Sequence, residues 1–243
     1  MSKRALLVGI NQFAGRPEWL LRGCVNDSQA MKQLLEEVYG FTEIRVLNDG
    51  DATRQGIEEG LAWLLSGYEG GGKDVRVFHF ASHGTQVATQ ADDDVEEDQL
   101  DEVIVPHDHD WDKPFRDDEL RAIFDNIPDD VNFTFLADCC HSGSVDKDVF
   151  PREWDVRPRR VEPPAEMQTR INRIAARRLE EETRWIDARM EEKLAGLTFR
   201  ERRQQERGLR ERLKALFWQE RKKLIPAQRQ TLLAACEDVQ TAA

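Results

Sequence analysis

Residues 132–143 read NFTFLADCCHSG. Apolar residues dominate the first half, in the manner of a strand covered on both faces, and the run stops at an acid, two cysteines, a histidine and a small flexible tail. A second stretch has the same build: VRVFHFASHG at 75–84 runs out at His83 and Gly84. In a doubly wound sheet, ligands gather beyond the carboxyl ends of the strands. Two buried-style strands that each end in reactive residues therefore point to a parallel sheet with a site along one end.

Further strands and helices alternate around this pair. ALLVGI (5–10) and IRVLND (44–49) are strand-length apolar runs, and TLLAACED (231–238) resumes that style near the end. Asn26 or Asp27 is placed to cap a helix through SQAMKQLLEEVYG, with Gly40 where a helix-ending glycine belongs. Thr53 caps a helix with Ile57, Leu61, Leu64 and Leu65 on its apolar face, and Asp117 starts another through ELRAIFDNI. EVIVP (102–106) is a short element expected outside the main sheet. The order argues for a mostly parallel sheet flanked by helices.

The stretch 151–170 is rich in Pro and Arg and reads as a loop. Residues 166–224 are charged and helical in period, with Ile171, Ile174, Leu179, Ile186, Met190 and Leu194 on one stripe. Two antiparallel helices breaking near Gly196 or Gly208 are expected, as an insertion into the α/β domain. The expected division is 1–150, then 151–228 as loop and helical insertion, then 229–243. Between Pro151 and Ile225 there are 21 Lys and Arg against 14 Asp and Glu, a net of +7 in a chain whose net charge is −12. The remainder carries −19, so the two parts have opposite sign and can attract each other.

Of 243 residues, 40% are hydrophobic, enough for a core, and 34% are charged, which requires a large exposed surface. The four cysteines, Cys24, Cys139, Cys140 and Cys236, form neither a disulfide framework nor a zinc pattern. MSKRALLVGIN is too short for a signal peptide core, and no stretch approaches the ~18 apolar residues of a membrane span. A reducing, cytoplasmic setting without membrane contact is expected. The Glu content of the basic helices and the acidic chain argue against nucleic acid as a partner.

If the two reactive strands are neighbours, an imidazole and a thiol meet at the sheet end. That is the arrangement for Cys–His nucleophilic catalysis, with the main-chain N–H groups of Gly84 and Cys140 placed to hold an oxyanion. Each residue has a plainer reading: a strand-end His as a satisfied polar group, a strand-end Cys as a small buried hydrophobe.

Several motifs in order resemble the metacaspases of the caspase-like clan: RALLVGIN, GCVNDSQAM, VFHFASHGTQ, LDEVIVPHD, DDELRAIF, LADCCHSGS and LLAACEDVQTAA. The resemblance covers residues 4–150 and 229–243. It implies a caspase-like sheet with an inserted charged helical hairpin, and a cysteine endopeptidase whose dyad is His83 and Cys140. Adjacent strand residues face opposite sides, so only one of the two cysteines can meet His83, and Cys139 is expected to point inward. The family cuts after Arg or Lys, and its acidic S1 pocket maps onto Asp27 and Asp138, with Cys24 on the wall. Two carboxylates suit a guanidinium. Capping would explain Asp27 equally well; Asp138, at the end of an apolar strand, is costly without a cation. The family often has Ser where this chain has Ala81.

Many metacaspases use calcium, which takes carboxylate oxygens. The corresponding residues are Asp98, Asp117 and Asp118, with Asp146 or Asp148. ADDDVEEDQLDE (91–102) is not an EF-hand loop, since Glu97 stands where glycine is needed, and Asp117 and Asp118 also suit an ordinary helix start. The insertion occupies the place of the family's processing linker and carries Arg159–Arg160, Arg177–Arg178, Arg202–Arg203 and Lys222–Lys223. An Arg/Lys-specific enzyme can cut itself there, and a basic linker over an acidic cleft can block it, so that deleting 160–225 raises basal activity. The sequence stops at QTAA, inside the small-subunit motif. The alternative is a catalytically silent caspase-like scaffold that binds a regulatory protein partner through the helical insertion.

Overall fold

The computed structural model describes residues 2–89, 100–139, 159–222 and 231–234, with 199, 200, 204, 218–222 and 231–234 described by backbone alone. Five strands form one sheet: β1 (Lys3–Gly9), β2 (Glu43–Asn48), β3 (Val75–Ala81), β7 (Asn132–Asp138) and β8 (Thr231–Ala234), in the order β2-β1-β3-β7-β8. Every pairing is parallel, with Ala81 beside Gly9 on one side and Asp138 on the other. β3 and β7, the two strands that end in reactive residues, are therefore neighbours. A second sheet holds β4 (Gly84–Ala88), β5 (Leu100–Ile104) and β6 (Phe115–Arg116), so EVIVP does lie outside the main sheet.

Alternation along the strands feeds two cores. Leu6, Val8, Phe78, Phe80 and Phe133 share one face with Ile57, Leu61 and Leu64 of α2 (Arg54–Leu64) and with Leu120 and Phe124 of α3 (Asp117–Phe124). Ala5, Leu7, Val77 and Leu136 take the other face with Leu35 of α1 (Cys24–Glu37). Ile57, Leu61 and Leu64 are fully buried, each contributing about 2 kcal/mol. Thr53 caps α2 by accepting from the Gly56 N–H.

The start of α1 departs from the expectation. The helix begins at Cys24, so Asp27 lies in its first turn and is not the cap. The reason is tertiary: the Cys24 N–H donates to Asn11 Oδ1 at 3.0 Å, so an amide thirteen residues upstream does the capping. Gly9 lets the two elements meet, since a Cβ there would lie 2.4 Å from the Cys24 carbonyl oxygen.

The chain divides into two compact units, one of Met1–Val87, Asp101–Pro164 and Arg229–Ala243, the other of Ala88–Leu100 and Ala165–Gln228. In the second, α4 (Ala165–Leu194) and α5 (Phe199–Lys222) pack antiparallel, with Asp187 paired to Arg210 and Glu182 to Lys214. Ile186, Met190, Leu194 and Leu213 form their seam. The break falls at Gly196, at φ 81°, and α5 runs through Gly208. α4 also starts earlier than the loop reading of 151–170 allowed. Among the described residues, no helix is long and apolar enough to cross a membrane.

Candidate active site

β3 ends at Ala81, and the chain past it is clamped. Ser82 Oγ donates to the Val105 carbonyl at 2.9 Å, and the Val105 N–H donates to the His83 carbonyl at 3.1 Å. His83 is 4% exposed. Its Nε2 lies 2.7 Å from the Trp19 carbonyl oxygen. A carbonyl only accepts, so Nε2 carries the proton and Nδ1 is left with its lone pair. Nδ1 is buried and makes no hydrogen bond among the described residues. Burial holds the imidazole down at about 4, with the Trp19 carbonyl and the Arg159 main chain pulling the other way and the Arg159 charge adding to the drop. Trp19 is packed by Phe13, His109 and Trp111, and the Phe13 ring lies 5.0 Å from that of His83. This geometry makes Nδ1 a proton acceptor with a fixed direction.

Asp27 from α1 and Asp138 from the end of β7 converge on one cation. Arg159 Nη2 donates to Asp27 Oδ2 at 2.5 Å, while Nη1 pairs with the Asp138 carboxylate and donates to the Asp138 carbonyl at 3.2 Å. The Arg159 side chain is 7% exposed. Burial opposes its charge, but Cys24, Asp138 and Asp27 outweigh that and raise its pKa. The Cys24 thiol is itself pushed up to about 12, chiefly by burial, so it stays neutral and the two carboxylates supply the charge. Gly23 forms part of the wall, since a Cβ there would lie 3.2 Å from Arg159 Nη2. Ala81 is fully buried beside Asp138 in the sheet register.

The same arginine reaches the imidazole side of the cleft through its main chain. The Gly84 N–H donates to the Arg159 carbonyl oxygen at 2.9 Å, and the Val161 N–H donates to the Gly84 carbonyl at 3.2 Å. Thr85 Oγ1 donates to the Val161 carbonyl at 2.8 Å.

The structure thus brings together His83, Gly84, Cys24, Asp27 and Asp138. Cys140, Asp98, Asp146 and Asp148 lie outside the described residues. Cys139 is 1% exposed and belongs to the apolar core under α2 and α3, which is the inward position expected of it. Asp117 and Asp118 sit on the first turn of α3 and share Arg121. Burial, then Glu102 and Asp118, push Asp117 up to about 6, and its Oδ1 is buried without a hydrogen bond among the described residues. Among the described residues, no three acidic, His or Cys side chains are grouped to hold a metal. Sequence reasoning missed Trp19, because a main-chain carbonyl leaves no residue signature. It also missed the seat of Arg159, signalled only by one dibasic pair among four.

The family model of the metacaspase, peptidase C14 domain matches residues 3–147. Metacaspase-6 of Arabidopsis thaliana is 38% identical over 152 residues, covering 60% of this chain and 39% of that protein. Metacaspase-1 of Kluyveromyces lactis is 36% identical, covering 59% and 34%. Metacaspase-2 of Trypanosoma brucei brucei is 34% identical, covering 58% and 42%. The chain thus spans well under half the length of these relatives. In fold it is similar to the crystal structure of protein GSU0716 from Geobacter sulfurreducens, with a TM-score of 0.52 at 23% identity over 76% of this chain and 66% of that one. With more than half of its length matched in sequence, on a parallel sheet whose strand ends carry the SHG and ADCC motifs, the chain belongs to the metacaspase family.

Proposed function

We propose that this chain is the catalytic region of a cysteine endopeptidase that cuts proteins after Arg or Lys. The observation that carries the reading is a guanidinium seated between Asp27 and Asp138, with the carbonyl oxygen of the same residue on the Gly84 N–H. A planar cation between two carboxylates is what an Arg-selective pocket holds, and a main-chain donor at that carbonyl is what an oxyanion needs. Cys140 is the nucleophile in this reading. Its thiol proton passes to His83 Nδ1 while the sulfur bonds to the scissile carbonyl carbon. The tetrahedral oxyanion rests on the Gly84 and Cys140 N–H groups. The C–N bond then breaks, and His83 returns the proton to the leaving amine. Water, deprotonated by His83, splits the thioester and restores the thiol. The Trp19 carbonyl holds the Nε2 proton throughout and stabilises the imidazolium.

Self-processing in the basic linker and activation by calcium belong to the same proposal. Calcium is a hard cation that takes oxygen donors, and the buried Asp117 Oδ1 next to Asp118, without a hydrogen bond among the described residues, is suited to it; Asp98 and Asp146 would complete the set. When bound, the ion would neutralise these carboxylates and hold them together. Calcium is expected to raise the melting temperature of the wild-type chain, and Asp117→Asn to abolish that rise.

The direct test is a fluorogenic peptide with Arg before the reporter, with and without calcium, beside an Asp peptide and a Cys140→Ala control. Arg-selective release lost in Cys140→Ala is expected. A folded chain silent in every arm would favour the scaffold that binds a partner.

A further inference from the structure

The connection from β1 to α1 builds two features in succession. It ends at Gly23, Cys24 and Asp27, the α1 side of the guanidinium clamp. Upstream, the same connection encloses a cavity of about 340 Å³ lined by Gln12, Phe13, Gly15, Arg16, Pro17 and Leu20. Main-chain contacts hold its shape. The Asn11 and Gln12 N–H groups both donate to Asp49 Oδ1, His107 Nδ1 lies 2.7 Å from the Gln12 carbonyl oxygen, and the Ala14 N–H donates to the His107 carbonyl at 2.8 Å. Gly15 takes φ 66°, a left-handed turn across which the Arg16 N–H donates back to the Phe13 carbonyl.

The cavity adjoins the imidazole. Phe13 lines it and lies 5.0 Å, ring to ring, from His83. Trp19, whose carbonyl holds His83 Nε2, carries the Arg16 guanidinium 5.3 Å from its ring centroid. Arg16 is exposed and makes no ion pair among the described residues. The clamp of Asp27 and Asp138 is acidic and this cavity is cationic, so a peptide bearing one cation and one anion fits the pair in one direction only.

Building on the peptidase reading above, we propose that this cavity receives the leaving-group side of the substrate, and that Arg16 selects an acidic side chain at the second residue past the cut bond. His83 hands its proton to the leaving amine, so the chain beyond the cut is the part that meets a cavity beside the imidazole. Side chains of an extended peptide alternate in direction. The one that turns toward the β1–α1 connection together with the clamped cation is therefore two residues on, not one. Phe13, Pro17 and Leu20 cover the methylenes of a Glu at that place, and Arg16 meets its carboxylate.

Internally quenched peptides test this on the full chain, with calcium present. Three carry Arg before the cut and Glu, Gln or Lys two residues after it; a fourth carries Glu one residue after it. The parent is expected to show a kcat/KM about fivefold higher for Glu than for Gln at the second position, the scale of a partly exposed ion pair, with Lys below Gln. Arg16→Lys is expected to keep this order, Arg16→Gln to level it, and Arg16→Glu to put Lys ahead. The ratios are read within each variant, so a general loss of activity or folding cancels. Equal turnover of the Glu and Gln peptides by the parent, or an order that survives Arg16→Glu, overturns the pocket and leaves the peptidase reading standing. A preference for Glu at the first position instead overturns the register. The same peptides, labelled, are titrated by fluorescence anisotropy into Cys140→Ala. Binding of the Glu peptide about fivefold tighter than the Gln peptide, erased by Arg16→Gln, in a chain whose parent cuts none of them, sustains the pocket and sinks the peptidase reading. Equal binding in such a silent chain overturns both.

Discussion

Asp138 gains its meaning from what reaches it. An acid closing an apolar strand is unfavourable alone, and here it is one half of a clamp on a guanidinium. Asp138→Asn is expected to lower kcat/KM for an Arg peptide by about 10- to 100-fold, the worth of one charge-assisted contact, and to leave a peptide with a neutral residue at that place unchanged. Equal losses on both peptides would mean a general structural role. Gly9 acts on stability. Ala there would drive a methyl group into the Cys24 carbonyl, so Gly9→Ala is expected to cost about 2–3 kcal/mol in urea unfolding. At this scale the sequence was legible in position: β3 and β7 are neighbours, which puts His83 and Asp138 past adjacent strand ends, and Cys139 is buried as expected. It was silent on Trp19, whose contribution is a carbonyl that any residue would bring, and on which of several arginines would find the pocket.

Among the elements, β1, β3 and β7 were readable because strands covered on both faces need continuous apolar runs, and β5 because its run was short. The start of α1 was not readable. Local capping rules favoured Asn26 or Asp27, but Asn11 caps from another loop, and that frees Asp27 to pair with Arg159. β3 and the turn after it bury His79 and His83, and the loop after β5 half-buries His109. His79, His83 and His109 are all lowered by burial, the last two to about 4. Each stays neutral in the folded chain while the unfolded chain takes up a proton near pH 6.5. The contribution of His83 and His109 is thus complete above about pH 6.5 and is lost as pH falls toward 4, and that of His79 changes in the same direction. His83 and His109 are each worth up to about 3 kcal/mol over that window. His109→Phe, which keeps an aromatic between Trp19 and Trp111, is expected to flatten the fall of melting temperature between pH 6.5 and 4. An unchanged slope would show that His109 is already protonated in the fold.

For the molecule as a whole, the expectation of a parallel sheet flanked by helices matches what is found, and the charge asymmetry along the chain has one concrete expression in Arg159 between two acids. The seat of Arg159 against Asp27 was out of reach, because those two residues stand 132 positions apart. Parallel strands have one further consequence. All five point the same way, so the imidazole, the clamp and the Asn11 cap crowd one end of the sheet. The other end is marked by the Ser2 to Val75 and Asp74 to Asn132 hydrogen bonds and by an exposed glycine turn at Gly70–Gly72, where an added Cβ would meet nothing closer than 3.9 Å. That turn is a natural splice point. New termini or a fluorescent reporter placed between Gly70 and Gly71 should leave peptide turnover within about twofold of the parent, as expected for an exposed loop tip. This would allow the chain to be rewired or tracked from the side opposite its candidate site.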